Sequence, residues 1–549
     1  MPPHTPGPAG EAAQSGLANK PAGLSLPVKQ LLAVCLSAML NLFAAKLYNG
    51  TIVCIDSFTN FIPVDKRDFD AIVVGSGPNG LAAAITLQQS GLSVLLLEGK
   101  ENIGGGMRSA ALTLPGFTHD LCSAVHPLAV LSPFFTTLPL HEFGLEYIYP
   151  ETAAAHPFDD GSAAVLKQNI NDTAFLLGPD EKVYQQLMGK ILKDWNKISD
   201  NILAPLRFPE HPLAMAGFGL QALQPATWLA KKFHTAKAKG LWAGMAAHGI
   251  QPLSNIASAA PGLVLLAAAH LKGWPFPKGG AASIANALAA FFISLGGKIE
   301  TNFYVRSLDQ LPAAHALLLD VTPRQLLQIA GHRFSSLYKW QLQQYRYGMG
   351  VFKIDWALDA PVPFTANECR QAGTVHIGNS FAEICNSEQL TAKGVYTEKP
   401  FVLLTQPSLF DTTRAPAGKH TAWAYCHTPA GAEKDMTLAI EQQVERFAPG
   451  FRERIIAKST MNAVQLENYN PNYIGGDING GVMDIRQLFT RPVLRRSPYT
   501  TSAPEIFICS SSTPPGGGVH GMCGYHAAQR VLKNIFHTRP AAFQKNAGK

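Results

Sequence analysis

Between residues 69 and 98 the pattern of apolar and polar positions changes period twice. Ala71, Ile72, Val73 and Val74 form an uninterrupted apolar run, as in a strand buried on both faces. A helical pattern follows over residues 81–89, and residues 93–97 then predict a second buried strand, closed by Glu98. Comparable patterns recur downstream. A helix is expected over residues 281–294, a strand over 298–305 and another over 317–321. Alternation at 350–358, 401–405 and 420–427 predicts half-buried strands of an antiparallel sheet. Near the end, a strand at 505–509 precedes a helix at 525–536. Residues 228–239 read as a basic helix with Trp228, Leu229 and Phe233 on its apolar side, suited either to an anionic membrane surface or to solvent. The apolar stretch 255–271 carries Pro261 and Gly262 and reads as buried helices rather than a membrane span.

The turn between the first strand and helix carries the chemistry. Gly75-Ser76-Gly77-Pro78-Asn79-Gly80 fits G-x-G-x-x-G in its strand–turn–helix–strand–acid setting. The first glycine permits the tight turn, the second lets backbone approach a pyrophosphate, and the third lets helix and sheet pack closely. The helix N-terminus offers free N–H groups and a partial positive charge to phosphates. Glu98 is placed to accept both ribose hydroxyls and would repel a 2′-phosphate, which disfavours NADP. A glycine-rich loop with Arg108, at residues 104–109, suits a lid over the same dinucleotide. Gly516, Gly518 and Gly521 repeat the glycine spacing, but no second strand and no terminal acid follow. That turn is expected to aim a helix N-terminus at an anionic part of the first cofactor.

Composition narrows the picture. The 549 residues are 47% hydrophobic and 15% charged, with a net charge of +7. No Lys/Arg run or zinc-finger spacing occurs, so nucleic acid is not an expected partner. The eight cysteines form no C-x-x-C, which argues against a structural zinc and a redox dithiol and favours reduced thiols in a cytoplasm-like compartment. His119 and His126 lie seven apart with no answering cluster, so no metal site is expected and polar pocket-lining groups are the better reading. Residues 1–27 are expected to be disordered. The apolar segment 31–45 is short for a span; the h-region of a signal peptide, an interfacial anchor and an extension upstream of the true start remain open.

DAIVVGSGPNGLAAAITL with LLLE, GGGMRS, GFTHDLCSAVHPLAVLSPFF, GWPFPKGG, YGMGVFKIDWALD, AWAYCHTP, GGDINGG and TPPGGGVHGMCGYHAA follow one another in order. In these blocks the chain resembles the phytoene desaturase-related FAD-dependent oxidoreductases, in particular the bacterial relatives of pyridine nucleotide-disulphide oxidoreductase domain-containing protein 2. The resemblance implies an α/β fold with a Rossmann-like FAD-binding domain assembled from residues 67–150, 272–335 and 500–537. A mixed α+β substrate domain on an antiparallel sheet would take 151–271 and 336–499, leaving an extension at 1–66 and a tail at 538–549. It places Gly75, Ser76, Gly77, Pro78, Asn79, Gly80 and Glu98 on the ADP half, Gly105 and Arg108 at the flavin-side loop, and Val305 on a strand near the adenine. Gly516, Gly517 and Gly518 would face the flavin. Ser511 would stand where such proteins carry an acid against the ribityl chain. His126, His520 and Asp477 are polar residues of the matched blocks that would line the pocket and move a proton. The implied reaction removes a hydride from an apolar, polyene- or isoprenoid-like small molecule. Isomerisation or saturation of a double bond, amine oxidation, and FAD binding in support of a protein or membrane partner are the alternatives. Oligomeric state is not legible.

Overall fold

The computed structural model describes residues 67–538. The expectations for residues 1–66 and for the last part of the tail, along with Cys35 and Cys54, lie outside the described residues.

Two sheets organise the chain. In the first, five parallel strands run in the spatial order Ile506–Ile508, Ala314–Leu319, Phe69–Val74, Val94–Leu97, Lys298–Glu300. Continuous apolar runs are what such strands need, because both faces are covered. Ala71, Val73, Val94 and Leu96 pack under the helices Pro78–Gln88, Ala282–Ser294 and Met522–Asn534. Ile72, Val74, Leu95 and Leu97 pack on the other side with Leu326, Ile329, Tyr338 and Leu342. Val74 stands beside both Leu97 and Leu319. Three strands therefore end at one level, and the residues that follow them, Gly75, Glu98 and Asp320, emerge together.

The second sheet has seven strands, in the order Ile455–Met461, Gly350–Leu358, His420–Thr428, Val402–Thr405, Ala372–Ile377, Thr152–Pro157, Ala163–Lys167. Every pairing is antiparallel except that of Ala372–Ile377 with Thr152–Pro157. One face carries Phe352, Ile354 and Trp356 into a core shared with Ile440 and Val444 of the helix Thr437–Phe447. The opposite face carries Val351, Trp423 and Tyr425 toward the helices Glu181–Ile202, Ala236–Ala247 and Ala259–Lys272.

Three expectations need correction. The strand at residue 298 stops at Glu300, so Val305 lies beyond it in irregular chain, buried against the parallel sheet rather than part of it. The basic stretch 228–239 is not one helix. The Asp180 carboxylate accepts the N–H groups of His234 and Thr235, and Thr235 then caps a new helix from Ala236. Leu229 and Phe233 enter the core while Trp228 is exposed, so no apolar surface stripe forms. The stretch 255–271 yields a single helix, Ala259–Lys272, with Pro261 in its first turn, where no intrahelical N–H is required. Among the described residues no helix is long and apolar enough to cross a membrane.

Candidate functional site

Gly75 leaves the first strand at φ +98°, a conformation that favours glycine, and donates its N–H to the Leu97 carbonyl. Gly77 takes the N-cap position of the helix Pro78–Gln88 with no side-chain cap, and Pro78 occupies the first turn, where its missing N–H costs nothing. A Cβ on Gly80 would collide with the Gly75 carbonyl oxygen, which fixes how closely the helix approaches the strand. Gly105 closes over this turn: a Cβ there would lie 2.9 Å from the Gly77 Cα. The side-chain oxygen Oδ1 of Asn79 is buried without a partner. An uncapped helix start, a glycine cradle and an orphaned buried amide oxygen together fit a pyrophosphate-bearing ligand.

Glu98 is buried and richly bound. It accepts hydrogen bonds from the Ser76 N–H at 3.1 Å, the Ser76 hydroxyl at 2.5 Å and the Lys100 N–H at 2.9 Å. Arg108 Nη2 sits 2.9 Å from Glu98 Oε1. The arginine also donates to the Asn102 carbonyl and to Tyr469. Arg108 is thus drawn onto the buried Glu98 carboxylate. A single-sequence reading misses this because the pairing depends on how the loop folds back.

Asp320 escaped the sequence reading, although it ends an apolar run as Glu98 does. Its carboxylate accepts the Gly80 N–H at 2.9 Å and faces the position a Gly77 Cβ would take, 2.8 Å away. Burial pushes its pKa up to about 7; the Gly80 N–H opposes the shift and the nearby Glu98 adds to it. A group whose folded pKa is raised contributes stability that is complete below the ordinary carboxylate pKa and is lost as pH rises through the folded one. Asp320→Asn keeps an acceptor for Gly80 and removes the charge. Its thermal midpoint is expected to exceed that of the wild type at pH 8, with the gap closing toward pH 4. A gap that is the same at both pH values would contradict this.

The second glycine turn is assembled around Arg491. This guanidinium is 1% exposed and pairs with no carboxylate among the described residues. It donates to the Ser511 carbonyl at 2.9 Å and to Tyr345 at 3.1 Å, and a Cβ on Gly516 would lie 3.1 Å from its Nη1. Gly517 packs against Asn479 and Gly518 against Leu128. Ser510 and Ser512 spend their hydroxyls on the Val321 and Gly480 carbonyls, whereas the Ser511 hydroxyl has no partner among the described residues. His520 Nδ1 accepts the Met522 N–H at 3.0 Å and so caps the helix Met522–Asn534, which begins three residues earlier than the pattern predicts. Asp477 accepts three backbone N–H groups, from Gly348, Asn479 and Gly481. These commit it to shaping the loop that lies against Gly517.

His126 reaches Ser123 at 3.0 Å, and Ser123 donates to the Gly106 carbonyl. Burial lowers both His126 and His520 to about 4, so each ring is neutral at neutral pH. From Gly106 the site continues to the seven-stranded sheet. A Cβ on Gly106 would lie 2.8 Å from the Tyr473 hydroxyl, which hydrogen-bonds Cys122, beside Lys353. Lys353 is buried and donates to Asp355, whose pKa burial raises to about 6 against the pull of that lysine. Asp355 Oδ1 makes no hydrogen bond but faces His119 Nδ1 at 3.7 Å, and the Nε1 of its cross-strand neighbour Trp423 is buried without a hydrogen-bond partner. This pair was missed, yet a lysine and an aspartate two apart on one face of a buried strand, GVFKIDWAL, were visible in the sequence. His119 hydrogen-bonds Thr113, and Asp120 pairs with Arg414 at 2.7 Å.

The family model of the NAD(P)-binding Rossmann-like domain matches residues 73–135. Pyridine nucleotide-disulfide oxidoreductase domain-containing protein 2 of Mus musculus is 25% identical, over 86% of this chain and 94% of its own. Phytoene desaturase (lycopene-forming) of Paracoccus sp. is 22% identical, over 83% and 95%. The crystal structure of an oxidoreductase from Methanosarcina mazei superposes with a TM-score of 0.58 at 14% identity, covering 84% of this chain and 99% of that one. At low identity but across most of its length, the chain is thus similar to pyridine nucleotide-disulfide oxidoreductase domain-containing protein 2 and to a phytoene desaturase, and it carries an NAD(P)-binding Rossmann-like domain at residues 73–135.

Proposed function

We propose that the protein is an FAD-dependent oxidoreductase that removes a hydride from an apolar, polyene- or isoprenoid-like substrate. The observation that carries the cofactor assignment is the uncapped, glycine-cradled helix start at Gly77, with buried Glu98 beside it. Gly75, Ser76, Gly77, Pro78, Asn79, Gly80 and Glu98 would hold the ADP half, with Gly105 closing over it. Gly516, Gly517, Gly518 and Ser511 would meet the flavin half. Bound FAD would supply two-electron redox chemistry at its isoalloxazine ring. The chain's own part is to bind, orient and exclude water. Neutral His126 and His520 flank the short helix Pro127–Leu131, His126 at its start and His520 through its carbonyl, which accepts the hydroxyl of Ser132.

An apolar substrate is supported by the relative named as a phytoene desaturase. The buried Trp423 Nε1, which has no hydrogen-bond partner, favours a second reading, an apolar body with one polar end. Purified protein reconstituted with FAD is expected to show flavin absorbance bands and to bleach anaerobically with an isoprenoid or polyene, faster if Trp423 finds a polar partner on it. Failure to retain any flavin after reconstitution would overturn the cofactor assignment. Bleaching only by amines would overturn the substrate class.

A further inference from the structure

A second feature lies along the outer edge of the parallel sheet, built from residues that take no part in the site above. Arg495, Arg496, Ser497 and Thr500 precede the edge strand Ile506–Ile508. Arg530, Lys533 and Asn534 come from the end of the helix Met522–Asn534. Together they enclose an open cleft of about 480 Å³. Four cations and no acid line it. Three surface arginines elsewhere find carboxylates: Arg324 pairs with Glu467, Arg333 with Glu505 and Arg346 with Asp484. Among the described residues the four cleft cations make no ion pair; Arg495 lies over the Tyr338 ring, its Cζ 5.1 Å from the centroid.

Like charges gathered without counter-charge repel one another, and an anion relieves the repulsion. Arg530 and Lys533 alone would be explained by the favourable position of cations at a helix C-terminus. That account does not extend to Arg495 and Arg496, which arrive from a different segment. Nor does it explain Ser497, whose hydroxyl is buried at 9% residue exposure, lines the same cleft and has no hydrogen-bond partner. A buried orphan donor beneath unpaired guanidinium groups is the arrangement that receives phosphate oxygens: the forks supply paired charged donors and the hydroxyl one more.

We propose that this cleft is an anion site for a phosphomonoester or diphosphate group, with Arg495, Arg496, Arg530 and Lys533 as its cations and the Ser497 hydroxyl as its buried donor. The volume exceeds that of a phosphate, so the group can belong to a soluble metabolite or to a lipid headgroup. The proposal stands independently of the FAD assignment.

The test uses the full chain saturated with FAD, at low ionic strength. Inorganic pyrophosphate is titrated by calorimetry. Sedimentation is run in parallel with vesicles of phosphatidylcholine containing phosphatidic acid. The wild type is expected to bind at least one probe, and Arg496→Gln/Arg530→Gln to bind it on the order of tenfold or more weakly, as loss of charge-assisted hydrogen bonds implies. Ser497→Ala should weaken binding by a smaller factor while leaving the thermal midpoint unchanged. Pyrophosphate binding without vesicle binding identifies a soluble ligand, and the reverse a headgroup. The double variant keeps the glycine loop intact, so any pyrophosphate held there contributes equally to both proteins. Equal affinity of wild type and double variant for the bound probe, or no binding of either probe, would overturn the site.

Discussion

Gly80→Ala is expected to yield a protein that retains no flavin and melts well below the wild type. The added methyl would meet the Gly75 carbonyl oxygen, a backbone atom in the strand-to-helix turn, so no side-chain rotation relieves the clash. Overpacking in a well-packed core costs about 1–3 kcal/mol. A clash with backbone sits at or above the top of that range, because helix and strand must separate. The same move disturbs the Gly80 N–H bond to Asp320 and the uncapped helix start. Gly524 provides a second approach to the same point: a Cβ there would collide with the Asn79 carbonyl oxygen, so Gly524→Val should fail in the same way. Gly189, in the helix Glu181–Ile202, has open space around it, and Gly189→Ala should match or slightly exceed the wild type. Flavin absorbance and thermal midpoints of the three variants check this. A yellow Gly80→Ala protein of unchanged midpoint would refute the close-packing argument.

Arg414→Met is expected to destabilise the fold by about 3–5 kcal/mol, the usual cost of stranding one member of a buried ion pair. Arg414 and Asp120 are each about 1% exposed. Asp120 accepts from Arg414 at 2.7 Å, from the Ser109 hydroxyl at 2.7 Å and from the Ala281 N–H at 2.8 Å. One carboxylate thus ties the hairpin behind the glycine loop, the start of the helix Ala282–Ser294 and the loop after the strand Val402–Thr405. Burial alone would raise the Asp120 pKa, but Arg414 and the two hydrogen bonds hold it below the ordinary carboxylate value. The sign is therefore opposite to that of Asp320. The stabilisation from Asp120 is complete above the unfolded carboxylate pKa and disappears as pH falls through the lower, folded one. Arg414→Met should lose that acid dependence along with its stability, and Asp120→Leu added to it should recover part of the loss. Urea unfolding at pH 7 and pH 3 reads both effects. A single variant as stable as the wild type would show that the pair contributes nothing.

Local patterns carried much of the architecture. Apolar runs ending in Gly75 and Glu98 announced the nucleotide fold because parallel strands are buried on both faces. Alternation at 350–358 and 420–427 announced the second sheet, but its strands are not half-buried as expected: helices and a second core cover both faces. Where the sequence reading failed, the deciding contact was distant. The 228–239 helix breaks because Asp180, some fifty residues away, takes the N–H groups at His234 and Thr235. Val305 leaves its strand because the parallel sheet offers partners only to Lys298–Glu300.

The sequence by itself determined that a strand, a glycine turn, a helix and an acid form a dinucleotide cradle, since those residues are neighbours in the chain and their geometry is local. Only the tertiary structure decided what surrounds it. Asp320 lies under Gly80, Arg108 folds back on Glu98, and Arg491, which pairs with no carboxylate among the described residues, sits behind Gly516. Each is one residue whose surroundings come from chain 10 to 240 residues away, roughly the range over which loop closure, not local pattern, sets which groups meet. Charge and burial act through space, and so these polar groups became legible only once the folded chain had placed their partners.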